Sequence, residues 1–362
     1  MNENQRAATA GPATMQAAVL TAPTRIEIQA RPVPEATGRD VLVKVMAVGI
    51  CGSDIHYYEH GRIGPYVVKG PIILGHECAG VVVAVGEQVR TLQPGDRVAV
   101  EPGVTCGYCA FCKEGRYNLC PEVQFLATPP YDGAFVQYIK HREDFLYRIP
   151  DTMSYETAAL CEPFSVGVHA VRRARLQPGE TVAIIGMGPV GLMAVVAARA
   201  FGAGRIVVSD REPLRLEAAL RLGADAAVDA SAADGLAQLR GGADGSGVHV
   251  ALETAGHPAA LQTALGSLRR GGRLAIVGLP PQDEIPLNVP FIADNEADIY
   301  GVFRYANTYP QGLALLAAGL ADTDGVMITD RYPLEQAQQA MERARTNKSG
   351  SLKVVVYPNG PV

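Results

Sequence analysis

Four cysteines crowd into fifteen residues of this chain: Cys106, Cys109, Cys112 and Cys120. Thiolates at such spacings can converge on one tetrahedral zinc ion, and an iron–sulfur cluster is the competing use. A shell of four thiolates leaves no coordination position open, so a zinc held there would be structural. Gly107, Gly115 and Asn118 permit the sharp turns that wrap such a lobe around an ion. The chain has 7 cysteines, an odd number, and their clustering points to metal rather than to disulfides.

A second set is dispersed. Gly49-Ile-Cys51-Gly-Ser53-Asp54-Ile-His56 comes early, Gly75-His76-Glu77 follows an apolar run, and Glu162 stands just before Pro163. Catalytic zinc takes three protein ligands, often mixed thiolate, imidazole and carboxylate, and keeps a fourth position for an exchangeable oxygen. Cys51 and His76 are the evident soft and borderline donors. Their sequence spacing does not by itself bring them together.

The third set is Gly186-x-Gly188-x-x-Gly191, between an apolar run Val182–Ile185 and a helical run Leu192–Phe201, with Pro189 and Val190 inside the turn. The first glycine allows the tight turn, the second lets backbone approach a pyrophosphate, and the third lets helix pack on strand. Free N–H groups at the helix start favour the phosphates. Asp210 ends the next apolar run, Ile206–Ser209, where a carboxylate suits both ribose hydroxyls. Its charge repels a 2′-phosphate and so favours NAD over NADP. Arg211, beside it, is the residue that would accommodate that phosphate, and Arg215 is one helical turn further on.

These residues need a scaffold. From Met15 to about Pro150 short β-rich runs (Val41–Val48, Gly80–Val85, Arg97–Val100) are separated by turn signals such as Pro94-Gly95-Asp96. This half reads as mostly β with irregular loops. From Thr181 strands alternate with helices: helix Pro213–Leu222, strand Val248–Glu253, helix Pro258–Leu268 and strand Arg273–Gly278. Alternation of this kind implies an α/β class with a doubly wound parallel sheet. Lys353–Tyr357 reads as a last strand. Met1–Thr14, polar and Ala-rich, reads as a disordered leader without a secretory signal, which makes a reduced, cytoplasmic setting the expectation.

The net charge of −5, from 32 basic and 37 acidic residues without a long basic run, argues against a nucleic-acid partner. The longest uncharged apolar stretch, Val182–Ala198, is broken by Gly186, Gly188, Pro189 and Gly191, so no membrane span is expected.

Taken together these features resemble the zinc-containing medium-chain dehydrogenases, over nearly the whole chain from Met15 to Tyr357. Gly-x-Cys-Gly-Ser-Asp-x-His, Gly-His-Glu, the four-cysteine lobe and Gly-Met-Gly-Pro-Val-Gly carry the likeness. Within that family the chain looks most like the sorbitol and other polyol dehydrogenases, through Asp54-Ile-His56-Tyr57-Tyr58, Ala127-Thr128-Pro129-Pro130, Glu162-Pro163-Phe164-Ser165-Val166-Gly167 and Gly301-Val302-Phe303-Arg304-Tyr305. Glu162 stands where alcohol dehydrogenases carry a cysteine, which supports the polyol branch.

The resemblance implies a GroES-like, mostly β catalytic domain of residues 15–163 and 302–362, with its zinc lobe at 101–121, and a Rossmann domain of residues 164–301. It implies that Cys51 and His76 hold the catalytic zinc, with Glu77 or Glu162 as third ligand. Ser53 and His56 would carry the proton outward, and Asp54 would bond the far nitrogen of His76. Tyr57, Phe125, Glu162, Arg304 and Tyr305 would face a polyol substrate. NAD would meet Gly186, Gly188, Pro189, Val190, Gly191, Asp210, Arg211, Arg215, Val277, Gly278, Val302, Phe303 and Arg304. A homo-oligomer, dimer or tetramer, is expected. The alternatives are the same chemistry on 2,3-butanediol or threonine, and a non-catalytic zinc- and NAD-binding sensor or scaffold. Intact Cys51, Ser53, His76, Glu77 and Glu162 argue against the last.

Overall fold

A computed structural model describes residues 13–360 apart from 242–244, 281, 283, 321 and 348. Most of the proposed leader therefore lies outside the described residues, and the first strand begins at Thr14, beside the expected Met15.

Two sheets organise the chain. The first has seven strands. Along it lie Leu146–Arg148, Arg97–Val100, Glu77–Val85, Asp40–Gly49, Lys353–Tyr357 and Ile328–Pro333, and Tyr138–Arg142 also pairs with Asp40–Gly49. The end of the chain thus returns to the sheet built by its first part. Registers matter here: Gly49 stands opposite Glu77 on one side and opposite Val355 on the other. A side chain at Gly49 would collide with the Glu77 carboxylate and with Lys353, so only glycine fits between them.

The second sheet has six strands in the order Ala226–Asp229, Arg205–Asp210, Thr181–Ile185, Val248–Glu253, Leu268–Ile276, Asp298–Gly301, all parallel. In chain order this is 3-2-1-4-5-6, the doubly wound arrangement whose topological switch lies beside the first strand. Thr181–Ile185, at that switch, carries four buried residues in succession, as a strand covered on both faces requires. The helix Pro189–Ala200 that follows begins three residues earlier than the apolar periodicity suggests. Proline is favoured at a first helical position, because the N–H it lacks would have no partner inside the helix.

One helix, Cys161–Arg173, joins the two sheets and carries Glu162 in its first turn. It packs against Pro189–Ala200 closely enough that a side chain at Gly167 would meet Ala194 backbone at 3.0 Å. The β-rich half also contains a helix that its sequence texture hides, Gly52–His60. Its apolar residues are too few to show a periodicity, and its signal is the cap: Asp54 accepts the Cys51 backbone N–H at 2.9 Å. No helix among the described residues is long and apolar enough to cross a membrane.

Candidate active site and metal centres

Cys51 ends the loop before that helix, His76 stands just before the strand Glu77–Val85, and Glu77 opens it. Asp54, fully buried, ties the two together: one oxygen takes the Cys51 N–H and the other takes the Gly75 N–H, both at 2.9 Å. His76 Nδ1 lies 3.7 Å from Asp54, beyond hydrogen-bond length, so the carboxylate holds the two loops more than it holds the imidazole. As a result the Cys51 thiol, a His76 ring nitrogen and a Glu77 carboxylate oxygen all lie within 4.8 Å of one another. Thiolate, imidazole and carboxylate converging in this way form a three-donor set of the catalytic type.

Glu162 does not belong to that set. Its Oε1 accepts the Tyr305 hydroxyl at 2.8 Å. Burial pushes its pKa up to about 7, against the pull of His76. Of the two glutamates, Glu77 is the one whose carboxylate oxygen lies together with the Cys51 thiol and the His76 nitrogen.

Lys353 is the residue that sequence reasoning missed. Its ammonium pairs with Glu77 Oε2 and donates to the Ile50 carbonyl at 2.9 Å, and both charged side chains are 1% exposed. The signal was present: a lysine heading an apolar run whose strand is buried along its whole length. A charge there requires a partner.

The expected pocket residues gather around this set. The Phe125 ring lies 5.6 Å from the His76 ring, and the Arg304 guanidinium lies 4.0 Å over the centre of the Phe125 ring. Arg304 Nη1 is buried and has no partner among the described residues. Tyr57 is buried against Thr128, and burial pushes its hydroxyl up to about 12, so it remains a neutral donor. Ser53 and His56 share a face of Gly52–His60, Ser53 half-buried and His56 exposed.

At the parallel sheet the three glycines have three separate reasons. Gly186 has φ +96°, a side chain at Gly191 would run into the Gly186 carbonyl, and at Gly188 a side chain would meet nothing within 4 Å. The fold itself therefore does not demand glycine at 188. Pro189 and Val190 open the helix. Asp210 accepts backbone N–H groups of Met187 at 2.6 Å, Arg211 at 2.7 Å and Glu212 at 2.9 Å. A carboxylate has about four acceptor positions, and these three bonds occupy three of them. Arg215 reaches Asp210 at 3.8 Å, and Arg211 is exposed. Val277, Gly278 and Val302 follow the last two strands at the same end of the sheet, the Val302 N–H bonding Ile276, and Phe303 is 39% exposed beyond them.

The sulfurs of Cys106, Cys109, Cys112 and Cys120 also lie within 4.8 Å of one another, with Cys106 and Cys112 at 3.9 Å. Zinc–sulfur bonds of about 2.3 Å in a tetrahedron set sulfurs about 3.8 Å apart. The donor set fits zinc, whereas an iron–sulfur cluster, with several metal atoms between its ligands, would spread them further.

Residues 37–151 match the alcohol dehydrogenase GroES-like domain and residues 189–318 match the zinc-binding dehydrogenase family. A sorbitol dehydrogenase of Bacillus subtilis is 65% identical over 96% of this chain and 98% of its own. A sorbitol dehydrogenase of Rattus norvegicus is 43% identical over 93% of this chain and 94% of its own. Among solved structures, an Escherichia coli oxidoreductase of unknown specificity superposes with a TM-score of 0.91 at 40% identity, covering 95% of this chain and 99% of that one. The chain belongs to the zinc-binding alcohol dehydrogenase family, and its fold is the GroES-like and Rossmann pair of that family.

Proposed function

We propose that the protein is a zinc-dependent, NAD-linked dehydrogenase that oxidises a secondary hydroxyl of a polyol, sorbitol or xylitol in kind, to a ketone. The observation that carries this is the three-donor set of Cys51, His76 and Glu77, with Phe125 beside His76, Arg304 over Phe125 and Tyr305 bonded to Glu162. The likeness to sorbitol dehydrogenases supports it. Cys51, His76 and Glu77 hold the catalytic zinc, and the four lobe cysteines hold a structural one. When bound, the zinc would supply Lewis acidity toward the substrate hydroxyl, and NAD would supply the hydride acceptor.

The protein's own groups do the rest. Ser53 takes the hydroxyl proton and His56, on the same helix face, passes it to solvent. Arg304, Tyr57 and the Tyr305–Glu162 pair bond the remaining hydroxyls, since a ligand with many hydroxyls needs fixed donors and acceptors. Phe125 excludes water from one side. Gly186, Gly188 and Gly191 with the helix start at Pro189 receive the pyrophosphate, and Asp210 takes one ribose hydroxyl and disfavours a 2′-phosphate.

The same reading divides the chain into a catalytic part, 15–163 and 302–362, around a dinucleotide part, 164–301, a division supported by the membership of the two sheets. It also includes a cytoplasmic setting and a homo-oligomer, dimer or tetramer. The exposed sheet edge Asp298–Gly301 and the exposed Leu279 and Val289 support the oligomer.

The test is initial-rate NADH formation across four- to six-carbon polyols, 2,3-butanediol and threonine, with NAD and NADP, before and after chelation. Chelator-sensitive, NAD-dependent oxidation of polyols is expected. Activity confined to butanediol or threonine would overturn the substrate class, and no activity on any of them with both zincs present would move the protein to the sensor reading.

A further inference from the structure

The segment after the last strand of the parallel sheet, residues 302–308, carries Arg304 and Tyr305, yet it has no regular structure to hold it. Arg304 and Asn307 both sit in the left-handed region, at φ +50° and +57°. Asparagine tolerates that region, but an arginine does not rest there unless surrounding contacts impose it. Those contacts come from the four-cysteine lobe. Asn118 Nδ2 donates to the Phe303 carbonyl at 2.8 Å. The Asn307 N–H donates to the Tyr117 hydroxyl, and Asn307 Nδ2 donates to the Gly115 carbonyl, both at 2.7 Å. The bonds fall on both sides of Arg304 and Tyr305, so the lobe grips the segment before and after the two pocket residues.

The grip is anchored at its far end as well. Tyr117 donates to the buried Glu101 at 2.7 Å, and Arg172, from the helix that carries Glu162, donates to the Asn307 carbonyl at 2.9 Å. Gly115, Tyr117 and Asn118 lie between Cys112 and Cys120. Closing four thiolates on one ion therefore fixes both ends of the stretch that does the gripping.

We infer that the four-cysteine lobe is a positioning element for the substrate pocket: Asn118, Tyr117 and Gly115 hold residues 303–307 so that Arg304 and Tyr305 meet the distal hydroxyls of a polyol. Asn118 and Asn307 are positioning residues, acting through the Phe303 carbonyl and the Gly115 carbonyl. This rests on the polyol reading for its substrate and on the lobe geometry for its device.

Two variants remove one bond each from opposite sides of the segment. Asn118→Ala deletes the donor to Phe303, and Asn307→Gly deletes the bond to Gly115 while tolerating the left-handed backbone. Each is compared with the parent on a six-carbon polyol and on 2-butanol, which has no distal hydroxyl. The expected result is a fall of about three- to tenfold in kcat/KM for the polyol relative to 2-butanol, carried by KM, as the loss of one hydrogen bond's worth of positioning predicts. Amide exchange of a peptide spanning 302–308 should quicken in both variants while zinc content stays at two per chain. An unchanged substrate ratio with unchanged exchange, in folded two-zinc protein, would overturn the inference. So would an equal loss on both substrates, which marks a merely structural role. If the parent oxidises no polyol, the substrate reading fails, and the exchange measurement still decides whether the lobe holds the segment.

Discussion

Replacing Lys353 by methionine keeps an unbranched side chain of similar length and removes one charge from a pair that is 1% exposed on each side. In zinc-free protein this leaves the Glu77 carboxylate buried without its counter-charge, and the Ile50 carbonyl without its donor. Breaking a buried pair from one side costs about 3–5 kcal/mol. Unfolding entropy of about 2.1 cal/mol/K per residue, over 362 residues, is about 0.76 kcal/mol/K, so each kcal/mol moves the melting temperature by about 1.3 °C. A loss of about 4 kcal/mol then lowers Tm by about 5 °C. With zinc bound the difference should shrink, because the ion supplies the missing positive charge. Zinc should also be held more tightly at this site, since the carboxylate no longer has to leave an ammonium. Thermal melts of parent and variant, each compared in the same metal state, together with zinc competition against a chelator, measure all three effects. A zinc-free variant melting within about 1 °C of the parent would refute the reasoning, for it would mean that the fold does not depend on the Lys353–Glu77 pair.

Gly188→Ala should weaken NAD binding with little change in Tm, whereas Gly191→Ala should destabilise the fold itself, because only the second collides with protein backbone; calorimetric titration and thermal melts separate the two. Cys51→Ser should abolish turnover while metal analysis finds one zinc still held by the lobe, and full activity in that variant would remove Cys51 from the catalytic set. Glu101 is buried against the Tyr117 and Tyr147 hydroxyls, with Asp144 nearby, and burial raises its pKa from 4.5 to about 6. A carboxyl whose folded pKa is raised contributes stability below its unfolded pKa and loses it as pH rises through about 6. This group therefore costs the parent about 2 kcal/mol between pH 4.5 and neutrality. Glu101→Gln lacks that dependence, so its Tm should gain on the parent by about 2–3 °C from pH 4.5 to 7.5, and a constant gap would count against the burial of an ionised Glu101.

The sequence by itself determined what is local. The four lobe cysteines lie on one short stretch, so their spacing already pointed to a shared metal site. The glycine turn, its flanking strand and helix, and Asp210 belong to one β-α-β unit, and periodicity located each of them to within a few residues. The pocket residues were legible only through resemblance, because Phe125, Tyr57 and Arg304 have no local pattern that distinguishes them from packing residues. Tertiary structure alone decided the rest. Cys51, His76 and Glu77 meet because strand register sets Gly49 opposite Glu77 and because Asp54 bonds both loops. Lys353 joins them because the last strand returns to pair with the same glycine's strand. Which glutamate oxygen lies within reach of the thiol and the imidazole, that of Glu77, was likewise set by the tertiary structure. Pairing register and chain return are settled by burying whole apolar faces at once, and no single window of residues carries that sum.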